Sequence, residues 1–426
     1  MKQRAMKKQF LSFAGGLILT ISGTAALAQV PMLPQEVIMG TGYANEVYYQ
    51  FTTYSTYETP RDAWDISFKT MPESAAVLIN DGMGATLWAY PYADTTGWAV
   101  IDTFELYLWP PLYNDENDWE NGAFNRNSAG YPDYGWGIYD PNTEMITGDS
   151  LFIMQLADGS FKKVWIVRKN TVENSYLFRY ANFDGSDYHE ITLDCSPYEG
   201  KDMVGFNMQI NFTVDYQPVK ESWDILFTKY MAIHPTGVPV IVTGVQGNPA
   251  ILTKRFYPVD PEFNDWESAP WDSTKSNIGW DWKWFDLNTF TYFIEDSMVF
   301  YVKEQAGNVY RLKFTGFEGS STGVIDFGIA LIQGVGIDDS RQSGVQISLW
   351  PNPATDVIHI GFETPNPPGE AGSVSILDMT GRSILTGQIP PGQLQSTWDI
   401  QALTPGPYLL VVTSGPDRAI RKFFKF

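Results

Sequence analysis

Short runs that alternate large apolar with polar residues recur along the whole chain, as in EVYYQFTTY (46–54), SLFIMQL (150–156), KKVWIVR (162–168), MQINFTV (208–214), SMVFYVKE (297–304) and NVYRLKFTGF (308–317). The runs are rich in aromatic and β-branched residues, and glycine, proline, asparagine and aspartate punctuate them at hairpin spacing. Period-two alternation of this length predicts strands buried on one face. Segments with helical spacing are scarce. The pattern predicts an all-β, antiparallel fold.

The pattern also repeats. Trp64-Asp65-Ile66-Ser67-Phe68 returns as Trp223-Asp224-Ile225-Leu226-Phe227, and NDENDWEN (114–121) is answered by DPEFNDWES (260–268). Gly135-Trp136 is answered by Gly279-Trp280, and YDPNT (139–143) by FDLNT (285–289). The separations, taken at Trp64, Trp119, Trp136 and Asp140, are 159, 147, 144 and 146 residues, so the order is kept. Two copies make a tandem pair, since a solenoid needs at least about three repeats. The expected organisation is two homologous antiparallel β domains, 41–198 and 199–335, then a glycine-rich and charged linker at 334–344 and a small β domain at 345–426. In Trp-Asp-Ile-x-Phe the alternation places the three apolar residues on one face, facing a core. The aspartate is free to accept backbone N–H bonds.

The first 28 residues carry a basic start (Lys2, Arg4, Lys7, Lys8), an apolar stretch from about Phe10 to Ile21, and Ala26-Leu27-Ala28 before Gln29. That is the form of a cleaved secretory signal peptide. No later run reaches the ~18 apolar residues of a spanning helix, so no transmembrane segment is expected after cleavage. The formal charge of −21 removes nucleic acid as a partner, because phosphate binding needs a basic face. With Cys195 as the single cysteine, an exported fold has to be held by packing without a disulfide inside the chain.

The last 80 or so residues carry Pro351-Asn352-Pro353 with Asp356, a turn from Asp378 to Gly381-Arg382, Leu403 to Gly406 and Tyr408, and a basic-aromatic end at Lys422, Phe423, Phe424, Lys425 and Phe426. This segment resembles the type A C-terminal sorting domain of type IX secretion. The resemblance implies a small β-sandwich read by the outer-membrane translocon and by the surface-attachment machinery. It also implies a protein secreted or attached to the outer surface of the outer membrane, its sorting domain cut off on the way. A terminal strand of alternating cation and aromatic offers a receptor both backbone and charge.

Each repeat is similar to the HmuY-like family of secreted haem-binding proteins. The likeness rests on Tyr48, Tyr49 and Phe51, on the Trp-Asp-Ile-x-Phe segments, on Leu78–Asp81, and on the ADGSFKKVWI and AGNVYRLKFTGF hairpins. It implies haem as the ligand. Haem iron takes His, Met or Tyr, yet the repeats hold only His189 and His234, both in polar loops, and neither matches a ligand position of the family. Met145 and Met154 are the methionines considered as ligands, although methionine commonly fills cores.

Other chemistry has little to build on. With three histidines in the chain there is almost nothing to build a Ser-His-Asp triad or a HExxH zinc site from, and no P-loop is present. No catalytic residues and no metal site are assigned, and the expectation is that the protein is not an enzyme. Oxygen-rich loops at Asp115–Asp118 and Asp260–Asp265 are calcium candidates without EF-hand spacing, and are read as solvated. Trp119, Trp136, Trp266, Trp280, Trp282 and Trp284 form the best aromatic rim for a ring-shaped ligand, with core packing as the competing role. The sequence reads as an exported surface binding protein of unknown ligand, or alternatively a structural or adhesive protein with no small ligand.

Overall fold

A computed structural model describes residues 32–334, 347–362, 372–378, 382–393, 395–414 and 417–426. The expected signal peptide, the linker after Gly334, and Gly381 lie outside the described residues. Before the linker the strands are β1 (Leu33–Ile38), β2 (Asn45–Gln50), β3 (Ser55–Pro60), β4 (Ile66–Lys69), β5 (Val77–Ile79), β6 (Thr86–Ala89), β7 (Gly137–Asp140), β8 (Met145–Gly148), β9 (Phe152–Gln155), β10 (Phe161–Asn170) and β11 (Ser175–Ala181). They continue as β12 (His189–Asp194), β13 (Met203–Asn207), β14 (Phe212–Val214), β15 (Ile225–Ile233), β16 (Pro239–Gly247), β17 (Leu252–Phe256), β18 (Lys283–Asp286), β19 (Thr291–Ile294), β20 (Val299–Lys303), β21 (Val309–Phe317) and β22 (Val324–Gln333). Pairing is antiparallel throughout these sheets, as the alternation predicts.

Two hydrophobic cores form, each between two sheets. In the first sandwich β14-β13-β4-β5 covers β12-β11-β10-β8-β7, to which β9 and β6 attach through β10. Ile66, Phe68, Val164, Ile166, Phe178, Val204 and Phe206 fill it. In the second, β16-β15-β2-β3 covers β1-β22-β21-β20-β17 around Val47, Tyr49, Ile225, Phe227, Leu312, Phe314 and Phe327.

The strand pairing crosses the two repeats. The hairpin β2–β3 opens the first repeat but pairs with β15 of the second, Tyr49 opposite Ile225 and Val47 opposite Phe227. Reciprocally β13–β14, which opens the second repeat, pairs with β4 of the first, Phe206 opposite Ile66 and Val204 opposite Phe68. The division expected between residues 198 and 199 falls between β12 and β13, two strands of one sandwich. Residues 61–216 make the first sandwich as a continuous stretch, whereas the second needs 33–60 brought back to it, where β1 pairs with β22.

The repeated aspartates close this exchange. Asp65 accepts the Met208 backbone N–H at 2.7 Å, and its own N–H donates to the Phe206 carbonyl at 3.0 Å. Asp224 does the same with Phe51 at 2.8 Å and Tyr49 at 2.8 Å. Trp64 and Trp223 were expected to share a face with the Ile and Phe that follow them. They lie instead outside the two cores, Trp64 stacked on Tyr216 at 5.1 Å and Trp223 edge-on to Tyr48 at 5.1 Å. Regular pairing starts only at Ile66 and Ile225, so the alternation does not run back to the tryptophans. Both rings pack into the seam where the sandwiches meet, with Trp119 wedged there as well.

In the C-terminal unit β23 (Ile347–Trp350), β24 (Val357–Phe362), β25 (Gly372–Leu377), β26 (Ser383–Ile389), β27 (Gln395–Asp399), β28 (Gly406–Ser414) and β29 (Asp417–Lys425) form the sheets β23-β24-β27 and β26-β25-β28-β29. Ile358, Ile360, Val374, Ile376, Leu410, Val412 and Phe423 pack between them, so this unit is the small β-sandwich expected.

These pairings predict how the chain divides. A fragment of residues 61–216 should unfold cooperatively on heating, while 41–198, which loses β13–β14 and exposes β4, should not; circular dichroism melts compare the two. Cooperative folding of 41–198 alone would show that the crossed pairing is dispensable.

Candidate functional site

The two repeats differ in how one hairpin is seated. In the first, β7–β8 lies on the large sheet, with Thr147 paired to Arg168 and Ile146 to Lys169. Glycine permits this approach: a Cβ on Gly148 would sit 1.7 Å from the Ile166 carbonyl oxygen of β10, while Gly137 lets the hairpin's own strands close up, where a Cβ would sit 2.5 Å from the Thr147 carbonyl oxygen. At the spacing of 146 residues that relates Asp140 to Asp286, Ile294 stands for Gly148, Lys283 for Gly137 and Trp284 for Ile138. The side chains forbid the close approach, and β18–β19 pairs only with itself. The same spacing equates Trp136 with Trp282, not with Trp280 as the sequence comparison had it; both are fully buried. Trp280-Asp281 is then an insertion.

Lifting the hairpin leaves an open cleft of about 450 Å³, within the range of small-molecule sites. Its walls are Trp280, Trp284, Phe285, Tyr292, Phe317 and Tyr43, and β15 and β16 supply Lys229, Ile241 and Thr243. Trp284 stacks on Phe293 at 4.8 Å and Phe285 packs tilted against Tyr292 at 4.9 Å, yet Trp284 remains 52% exposed and Phe285 42%. Such large apolar exposure on one hairpin marks a contact surface. At the floor the Lys283 ammonium lies over the Trp282 ring at 4.1 Å and donates to the Thr243 carbonyl at 2.6 Å; burial pulls its pKa down to about 7. Tyr43 is held at φ 57°, a left-handed conformation rare for a bulky residue, and burial pushes its hydroxyl up to about 12.

A second cavity lies in the seam, lined by Glu46, Trp64, Asp81, Trp119, Tyr230 and Lys275 among others. At about 50 Å³ it has room for roughly three waters. It is a polar joint and too small for a ligand. Lys275 lies over Trp119 at 4.0 Å, and the Trp119 indole N–H donates to the Gly247 carbonyl at 2.8 Å. Glu46 accepts from the Tyr48 hydroxyl at 3.0 Å and the Thr228 hydroxyl at 3.3 Å.

The other residues singled out in the sequence scatter. His189 contacts Asp187 at 2.9 Å and stacks on Tyr180 at 4.8 Å, on the first sandwich. His234 sits in the β15–β16 turn on Thr236 at 2.8 Å, and its ring stacks on Trp280 at 6.4 Å. Met154 is core and Met145 is half-buried on β8. The acidic loops part company as well: Asp115 pairs with Arg126 and Glu116 accepts from the Ile233 N–H in the seam, while Trp266 and Trp271 enclose the Lys254 ammonium at 5.1 and 4.4 Å. No cluster of three metal-ligating side chains occurs among the described residues.

The sorting-signal residues do converge. Asn352 grips the last strand, accepting the Phe424 N–H at 2.9 Å and donating to the Lys422 carbonyl at 3.3 Å. Ala354, between Pro353 and Asp356, bonds backbone to backbone with Phe424 and Phe426 at 2.8 and 3.0 Å. Asp356 accepts the Ile400 N–H at 2.9 Å. Arg382 donates its N–H to the Asp378 carboxylate at 3.0 Å. Gly406 opens β28 at φ 150°, and Tyr408 stacks on Phe423 at 5.7 Å. Lys422 lies over Phe424 at 5.0 Å, and Phe426 is 41% exposed.

Residues 348–425 match the Secretion system C-terminal sorting domain. The protein is therefore exported, secreted or attached to the cell surface, and its tail implies interaction with the type IX secretion machinery. No helix among the described residues is long and apolar enough to cross a membrane. No curated protein matches the chain. Among solved structures it is similar to dimeric latent PorU from Porphyromonas gingivalis, at 10% identity and a TM-score of 0.18 over 92% of this chain and 34% of that one. It is also similar to the BSP domain of a biofilm associated protein, at 10% identity and a TM-score of 0.17 over 99% of this chain and 84% of that one. The chain thus spans about a third of the PorU chain.

Two outcomes follow. Burial raises the Glu46 carboxyl from 4.5 to about 7. The folded state keeps a proton that the unfolded chain has released, so this group makes stability fall as pH rises between those values. The melting temperature should drop by a few degrees from about pH 5 to about pH 7, and the drop should shrink in Glu46→Gln; equal drops would show an ordinary carboxyl. In the tail, deleting Lys422–Phe426 should leave the protein in the periplasm with its body folded, read by fractionation and surface proteolysis.

Proposed function

We propose that this protein is a non-catalytic binding protein of the cell exterior, with the cleft beside β18–β19 as its ligand site. The observation that carries the reading is the departure between the repeats. One copy seals its hairpin onto the sheet through Gly148, and the other, carrying Ile294 in its place, holds aromatic rings open to solvent.

Haem, the ligand implied by the HmuY-like resemblance, does not fit these residues. His189 and His234 belong to different sandwiches and each is held by a neighbour two residues away. Met154 is enclosed in the first core, and Tyr43, with its hydroxyl held protonated, is a poor source of an iron-binding phenolate. The second reading, a structural or adhesive protein, is favoured by an exposed apolar segment in the first repeat, where Val100 is 71%, Phe104 67% and Tyr107 85% exposed.

Tryptophan fluorescence of the mature protein, titrated with a panel of soluble glycans and planar aromatic acids, should reveal a ligand. Trp284→Ala should weaken it about tenfold or more. No response from the panel, together with unchanged surface adhesion by Trp284→Ala, would favour the adhesive reading.

A further inference from the structure

The chain carries a formal charge of −21, yet the cleft runs against it. Its lining holds two lysines, Lys229 and Lys283, and no carboxylate. The nearest acid that acts on Lys283 is Asp281, and both its oxygens are held by Arg255 at 2.8 and 2.7 Å.

Lys229 differs from the buried lysines of the body in lacking an oxygen partner among the described residues, as do the half-buried Lys303 and Lys313, but it alone of these three lines the cleft. The lysines buried in the two sandwiches all donate to a protein oxygen: Lys69 to Asp202 at 2.9 Å, Lys163 to the Trp98 carbonyl at 2.9 Å, Lys169 to that of Met71 at 2.6 Å, Lys254 to that of Trp266 at 2.9 Å, Lys275 to that of Asp115 at 3.2 Å, and Lys162 to Asn182 at 2.7 Å. Lys283 follows the rule. The Lys229 ammonium, half-buried in the cleft, has no hydrogen bond or ion pair among the described residues; it lies 5.8 Å over the Tyr43 ring, with a second cation, Arg61, acting on it. A partly desolvated ammonium without an oxygen partner is costly. A bound anion supplies one.

Resting on the reading of the cleft as the ligand site, we propose that it takes an acidic saccharide, a sugar ring whose apolar face lies on Trp284 and Trp280 and whose carboxylate meets Lys229. The hydroxyls of Tyr43, Thr243 and Tyr292 sit on the same wall and suit a ligand bearing several hydroxyl groups. Those hydroxyls already bond to one another through Tyr43 and can share their remaining lone pairs with a ligand; a flat aromatic acid would satisfy the ammonium but bring no hydroxyls to that wall, so the sugar fits more of it.

The test uses the full mature chain and tetrasaccharides of galacturonate, glucuronate and mannuronate, each beside its carboxyl-reduced form, followed by calorimetry. At least one acidic tetrasaccharide should bind about tenfold or more tighter than its reduced counterpart, and the gap should narrow as salt rises. Lys229→Met should abolish the gap while leaving weak binding of the reduced sugar unchanged, and Lys229→Arg should restore most of it. Equal binding of acidic and reduced forms, or a gap that survives Lys229→Met, overturns the carboxylate and leaves the cleft as a neutral sugar site. Absence of binding by all six sugars overturns the acidic saccharide, and the cleft then stands or falls on the wider panel and Trp284→Ala.

Discussion

Each Trp-Asp-Ile-x-Phe segment receives a strand from the other repeat, and the architecture of the body depends on that exchange. The aspartate makes the joint specific, its carboxylate taking the N–H of Met208 in one copy and of Phe51 in the other, while its own N–H gives to the strand two residues earlier. A carboxylate in this position satisfies a strand end that the sheet alone would leave open. Asn80 and Asn248 complete it in parallel, each donating to two backbone carbonyls around the preceding turn, including those of Trp64 and Trp223. Since β1–β3 come from the start of the chain and finish the second sandwich, the body is closed on itself.

Closure brings the outer faces of two sheets together, and the seam has to reconcile apolar and charged side chains. Trp64, Trp119 and Trp223 fill one part of it, and Glu46, Asp81 and Lys275 share the other. Gly82 lies so close to β15 that a Cβ there would sit 1.9 Å from the Lys229 carbonyl oxygen. The backbone of Lys229 is thereby pinned from the seam side while its ammonium faces the cleft on the other. Burial in the seam and openness at the cleft are two sides of one strand.

The cleft shows how a duplicated fold acquires a site. Both copies keep the bulge in the long strand, at Ile166/Arg168 and at Phe314/Gly316, and both bury a tryptophan behind the hairpin. What changes is the backbone-to-backbone distance that a single Cβ permits. With glycine at 148 the hairpin seats and its polar groups enter the sheet; with isoleucine at 294 it stands off, and aromatic rings cover the flank that the sheet no longer protects. In the tail the chemistry is local instead. Asn352 holds both neighbours of Phe423, so the basic-aromatic end is presented as an ordered strand.

Much was legible in the sequence because it is written at short range. Alternation is a property of neighbouring residues, so the strands and the all-β class could be read from it, although the middle of MQINFTV proved to be a hairpin turn with Asn211 at φ 53°. The sorting tail was legible because Asn352, Tyr408 and Lys422 act within one small sandwich. Trp280 and Trp284 were named as rim candidates on composition alone, but Lys229 was not singled out: nothing beside it in sequence shows that it lacks an oxygen partner. Which strand pairs with which is decided by contacts more than a hundred residues apart, where two partners of the same alternating pattern compete and local pattern is equally content with either. Only the folded chain chose the crossed pairing, turned Trp64 and Trp223 from core into seam, and made one missing glycine into a cleft, because those outcomes depend on backbone distances that the order of residues does not contain.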